Sequence, residues 1–172
     1  KLTYEGEFLN GERNGKGKEY DSYDEQLIYE GDFLNGERNG KAKEYDSYDE
    51  ELIYEGDFLN GERNGKGKEY DNGNIVFDGE YLFGERNGKG KEYDSFGHLI
   101  YDGEYKNGKK NGKGKLYNFG RLQFEGEFSE DSKKGKGKAY DYFGNLMFEG
   151  EYLNDKRNGI GKEFYCESFD EE

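Results

Sequence analysis

The chain has 172 residues and a formal net charge of −14, with 29 glycines, no proline, and 13 Phe plus 17 Tyr against only 18 Leu, Ile and Val. So few aliphatics with so much charge match the composition of disordered chains, and only a regular spacing of aromatics and glycines can supply a core. No apolar run approaches the roughly 18 residues of a membrane helix, no signal-peptide pattern opens the chain, and one cysteine with one histidine exclude an internal disulfide and a structural zinc site.

In chain order, Leu2, Tyr4, Gly6 and Phe8 alternate with Thr3, Glu5, Glu7 and Leu9, a period of two that predicts a strand. Asn10-Gly11-Glu12-Arg13 carries turn chemistry, and the alternation resumes from Asn14 to Asp21, so the unit is a β-hairpin. The opening motif returns at Tyr29, Tyr54, Phe77, Tyr101, Phe124 and Phe148, and its central glycines stand 25, 25, 23, 24, 23 and 24 residues apart. Each of these glycines precedes a second one by nine residues (Gly6 and Gly15, Gly150 and Gly159), so the hairpin is constant and the connector absorbs the variation. Connectors such as Asp71-Asn72-Gly73-Asn74 and Phe96-Gly97-His98 are further turns, which allows one antiparallel meander of about 14 strands, roughly 65 Å long at about 4.8 Å per strand. Residues 1–165 are therefore expected to form a seven-unit, all-β, single-layer array, followed by an acidic tail at 166–172.

Across a four-residue hairpin loop, Glu7 is expected to face Lys16 and Glu5 to face Lys18, with the same pairing for Glu104 with Lys113 and Glu127 with Lys136. The opposite face sets Phe8 against Gly15 and Gly6 against Gly17, leaving room for a ring to lie over bare backbone. One layer leaves nothing to cover those rings. The aromatic face, represented by Tyr29, Phe33, Tyr54, Phe58, Phe77, Tyr81, Tyr101, Tyr105, Phe124 and Phe128, is thus expected to stay partly exposed and to bind a peptide or an amphipathic helix.

The thirteen residues Tyr29 to Lys41 (Tyr-Glu-Gly-Asp-Phe-Leu-Asn-Gly-Glu-Arg-Asn-Gly-Lys) resemble the MORN repeat, the membrane occupation and recognition nexus motif, and the resemblance covers nearly the whole chain. It implies a twisted single-layer sheet of hairpins, found in free-standing scaffold proteins and beside catalytic domains such as phosphatidylinositol phosphate kinases and SET-type methyltransferases. The family often has Trp where Phe8 or Tyr81 stands, His where Asn14 or Asn39 stands, and aromatics where Glu19 and Asp21 stand here.

No pairing of nucleophile and base can be assembled. The glycine-rich Gly11 to Lys16 stretch lacks the spacing of a phosphate loop, Asp21 and Asp24 lack that of a calcium loop, His98 reads as a turn residue, and Cys166 reads as packing or tail. No catalytic residue, cofactor or metal ligand is assigned. The expected function is a non-catalytic scaffold that binds protein partners through the aromatic and glycine face or through the ends of the array. Its alternatives are a peripheral membrane module meeting anionic head groups through Lys16, Lys41, Lys66, Lys89, Lys113 and Lys136, or a regulatory segment of a longer enzyme. Nucleic acid is not expected as a partner, because acids outnumber bases 40 to 26. The open N-terminal strand predicts a weak homodimer. The setting expected is cytoplasmic, with a place beside a membrane or the cytoskeleton as the variant.

Overall fold

The computed structural model describes residues 1–165; the expected tail and Cys166 lie outside them. The first three hairpins are β1 (Tyr4–Leu9) with β2 (Glu12–Tyr20), β3 (Leu27–Leu34) with β4 (Glu37–Tyr45), and β5 (Leu52–Leu59) with β6 (Glu62–Asp71). Then come β7 (Asn74–Leu82) with β8 (Glu85–Tyr93), β9 (Leu99–Lys106) with β10 (Lys109–Asn118), β11 (Arg121–Ser129) with β12 (Ser132–Tyr140), and β13 (Leu146–Leu153) with β14 (Lys156–Glu163). All fourteen form one sheet in sequence order, each pairing antiparallel with its chain neighbours. The described residues contain no helix.

The hairpin loop is shorter than the sequence suggests. Asn10 and Gly11 both take left-handed backbone angles (φ 51° and 86°), as the central pair of a two-residue type I′ turn does, and this turn matches the twist of its strands. The register therefore splits. Glu5 faces Lys18 and Gly6 faces Gly17 as expected, but a bulge follows and Phe8 faces Arg13 instead of Gly15.

Glu7, displaced by the bulge, accepts a hydrogen bond from the Lys16 backbone N–H at 3.2 Å. The expected Glu7–Lys16, Glu104–Lys113 and Glu127–Lys136 pairings are replaced by pairings with the following unit: Lys16 opposite Asp32, Lys113 opposite Glu127, Lys136 opposite Glu151. Lys16 Nζ lies 2.6 Å from Asp32 Oδ1, and Lys41 Nζ lies 2.8 Å from Asp57 Oδ1. Charge pairs thus join one repeat to the next.

The core is a single file of rings on one face. From Phe8 through Tyr4, Phe33, Tyr29, Phe58, Tyr54 and onward to Tyr152 and Phe148, successive rings meet edge to face, as with Tyr4 and Phe33 at 5.1 Å and Phe77 and Tyr81 at 5.6 Å. In the first six units the first ring touches the second ring of its own unit and of the next. No unit can complete its core alone, which ties the stability of each hairpin to its neighbour.

Candidate interaction surface

All ten aromatic residues expected to meet a partner are buried, from Tyr29, Tyr54, Phe77 and Tyr101 at 0% exposure to Phe128 at 5%. The expectation of exposed rings on this face is therefore corrected. Arginine and glutamate side chains on the same face supply the missing cover. The guanidinium of Arg38 stacks 4.3 Å from the Tyr29 ring centre, Arg63 stacks 4.2 Å from Tyr54, and Arg86 stacks 4.1 Å from Phe77.

The guanidiniums are steered by acids of their own unit and of the one before. Glu19 pairs with Arg13 and, at 2.6 Å, with Arg38; Glu44 pairs with Arg38 at 2.8 Å and Arg63 at 2.7 Å. Burial works against ionisation of Glu69, but hydrogen bonds from Arg86 and Tyr81 and the charges of Arg86 and Arg63 outweigh it, so its carboxyl titrates below the usual range. Burial also pushes the hydroxyls of Tyr29, Tyr54, Tyr81, Tyr101 and Tyr105 well above the ordinary tyrosine value.

The opposite face is a charge checkerboard. Lysine strands alternate with acid strands: Lys16, Lys41, Lys66, Lys89, Lys113 and Lys136 stand opposite Asp32, Asp57, Glu80, Glu104, Glu127 and Glu151. Two troughs of about 890 and 1010 Å³ run along it; Lys89, Lys113 and Lys136 with Glu104, Glu127 and Glu151 line the first, and Lys16, Lys41 and Lys66 with Glu5, Glu30, Glu55 and Asp78 line the second. An anionic surface laid on this face meets a carboxylate one strand away from every lysine.

Exposed apolar groups line both long edges: leucines Leu9, Leu34, Leu59, Leu82 and Leu153 beside the hairpin turns, and aromatic rings in the connectors. Tyr23, Tyr48, Phe96, Phe119 and Phe143 project from five of the six connectors, Tyr48 reaching 91% exposure. Turn hydrogen bonds fix their bases: Asp94 accepts from the backbone N–H of Phe96 at 2.9 Å and of His98 at 2.8 Å, and Asp141 accepts from those of Phe143 and Asn145. The His98 ring lies between Phe96 and Phe119, 6.2 Å from each, and Arg121 stacks 4.1 Å from Tyr142. Reading the connectors only as turns misses this row, although an aromatic recurring at the same place in five of six connectors was visible in the sequence.

The hairpin unit, the glycine under each ring and the continuous zipper place the chain in a known group. The MORN repeat family matches residues 4–23, 29–47, 54–75, 77–95, 101–118, 124–141 and 148–167. The chain belongs to the MORN repeat family. No curated protein matches it. Among the described residues of this MORN array, no three His, Cys, Asp or Glu side chains cluster as a metal site, and no helix is long and apolar enough to cross a membrane.

Proposed function

We propose that this MORN array is a non-catalytic scaffold that holds protein partners along its connector edge. The observation that carries the proposal is the single-layer order, in which every strand pairs only with its chain neighbours. Such a ribbon spends its residues on surface. The chain exposes 11266 Å², against about 8,700 Å² for a compact protein of its mass. Both troughs are open and charged, whereas catalysis benefits from a site that excludes water. The apolar groups left outside the core, which usually mark interaction sites, recur at the pitch of the repeat.

The test is capture of partners from an extract, followed by titration of each captured protein, purified, against the chain and against a Phe96→Ser, Phe119→Ser, Phe143→Ser variant. Binding weakened about tenfold or more, with melting temperature unchanged, is expected. Equal binding to both chains refutes the edge as the site. Flotation with phosphoinositide vesicles at about 0.15 M salt is expected to show little binding, because each lysine has an acid within the roughly 8 Å screening length. Strong flotation abolished by Lys66→Glu with Lys89→Glu refutes the scaffold reading in favour of the membrane.

A further inference from the structure

The Arg/Glu cover over the ring zipper is regular for four units, lacks its acids in the fifth and sixth, and regains one, Glu163 opposite Phe148, in the seventh. Glu19, Glu44, Glu69 and Glu92 occupy one register position, each between the first rings of successive units. Glu92, the last before the gap, is bonded to Arg86 at 2.9 Å and to Lys110 at 2.7 Å. The next two positions in the series are Leu116, between Tyr101 and Phe124, and Ala139, between Phe124 and Phe148.

The cations continue without them. Lys133 lies 4.7 Å from the Phe124 ring centre and makes no ion pair among the described residues; Lys110 has an acid on one side only, and Arg157 pairs only with Glu163. Two carboxylate places are thus vacant between three cations, floored by Leu116 and Ala139, which pack against the core.

The charge distribution follows the same division. Residues 1–105 hold 27 acids and 13 bases, whereas residues 106–165 hold 9 acids and 13 bases, so the part of the sheet with the vacancies is net positive. An acidic ligand is repelled by the first four units and attracted to the next.

We propose that this part of the face docks an extended acidic segment of a partner protein, whose carboxylates take the two vacant places between Lys110, Lys133 and Arg157. The places are two strands apart, about 9.6 Å. A polyproline II segment returns to the same side every third residue, after about 9.3 Å, so acids at i and i+3 match the spacing. The intervening residues rest on Leu116 and Ala139. This site names a partner chemistry for the scaffold but stands on a surface separate from the connector rings, and the ring variant therefore serves as a control.

The probe is a fluorescein-labelled peptide of four Pro-Pro-Glu triplets, with Pro-Pro-Gln as its uncharged counterpart, titrated against the full chain by anisotropy at about 0.05 M salt, where screening is weak. Saturable binding of the Glu peptide is expected, with the Gln peptide weaker by about tenfold or more. Leu116→Glu with Ala139→Glu fills both places, so it should abolish binding while melting at or above the temperature of the unaltered chain. Lys133→Gln should weaken binding about tenfold, and Phe96→Ser, Phe119→Ser, Phe143→Ser should leave it unchanged.

Failure of the chain to bind the Glu peptide, or equal binding by the doubly substituted chain, overturns the proposal. If only a chain ending at Tyr165 binds, with the same loss on Leu116→Glu and Ala139→Glu, the partner is overturned in favour of the chain's own residues 166–172.

Discussion

Substituting Gly67 tests the packing that makes a one-layer protein possible. A β-carbon built on Gly67 falls 2.2 Å from the Tyr54 hydroxyl oxygen and 2.4 to 2.5 Å from its ring carbons, so it requires the ring to move. One methyl group is accommodated at the corresponding place in the second unit, where Ala42 stands and remains buried. Gly67→Ala is therefore expected to cost about 1 kcal/mol or less. Gly67→Val, with two further methyls, forces Tyr54 out of its place.

Tyr54 is fully buried, meets Phe58 at 5.4 Å and Tyr81 at 5.2 Å, and lies under Arg63. Losing its burial costs about 2–3 kcal/mol, and each of the two ring pairs adds about 0.5–1.5, giving about 3–6 kcal/mol for the valine variant. For a chain of this length that corresponds to a fall in melting temperature of roughly 6–24 °C. Thermal and urea denaturation followed by far-UV circular dichroism read the difference. A valine variant within about 1 kcal/mol of the alanine variant would refute the ring-over-glycine packing.

Three further outcomes follow from the cover and the turns. Because the buried tyrosines titrate above their unfolded value of about 10, their contribution is complete below that pH and is lost as pH rises through the folded values; tyrosinate absorbance of Tyr29, Tyr54, Tyr81, Tyr101 and Tyr105 should appear together with unfolding, and its appearance in an intact sheet refutes their burial. Glu69 has the opposite sign: its depressed value stabilises the fold above about pH 4.3 and is lost as pH falls through the folded value, so Glu69→Gln should cost about 1–2 kcal/mol at neutral pH and flatten the acid limb of a stability curve. Glu130 holds a left-handed conformation (φ 50°) where five other units have Asn, so Glu130→Asn should raise stability by about 0.5 kcal/mol in urea denaturation, and a loss of stability counts against strain there.

The sequence by itself determined the repeat, the hairpin, the antiparallel meander and the membership of Tyr4, Gly6 and Phe8 in one face. Period-two alternation and a constant nine-residue glycine interval are local properties, and each recurs seven times. Which neighbour a side chain meets is not local. The two-residue turn at Asn10 and Gly11 placed a bulge beside Glu7, and that shift handed Lys16 to Asp32 of the next unit.

Only the tertiary structure decided that the ten rings are interior. Their cover comes from long side chains on the two flanking strands: Arg38, on the hairpin partner of the Tyr29 strand, lies over Tyr29 because Glu44 of the same strand and Glu19 of the preceding unit hold it there. A hydropathy pattern counts Arg and Glu as solvent-facing and cannot register them as a lid. The same geometry gives meaning to Leu116 and Ala139, which read as ordinary apolar positions until the row of carboxylates they interrupt is seen in space.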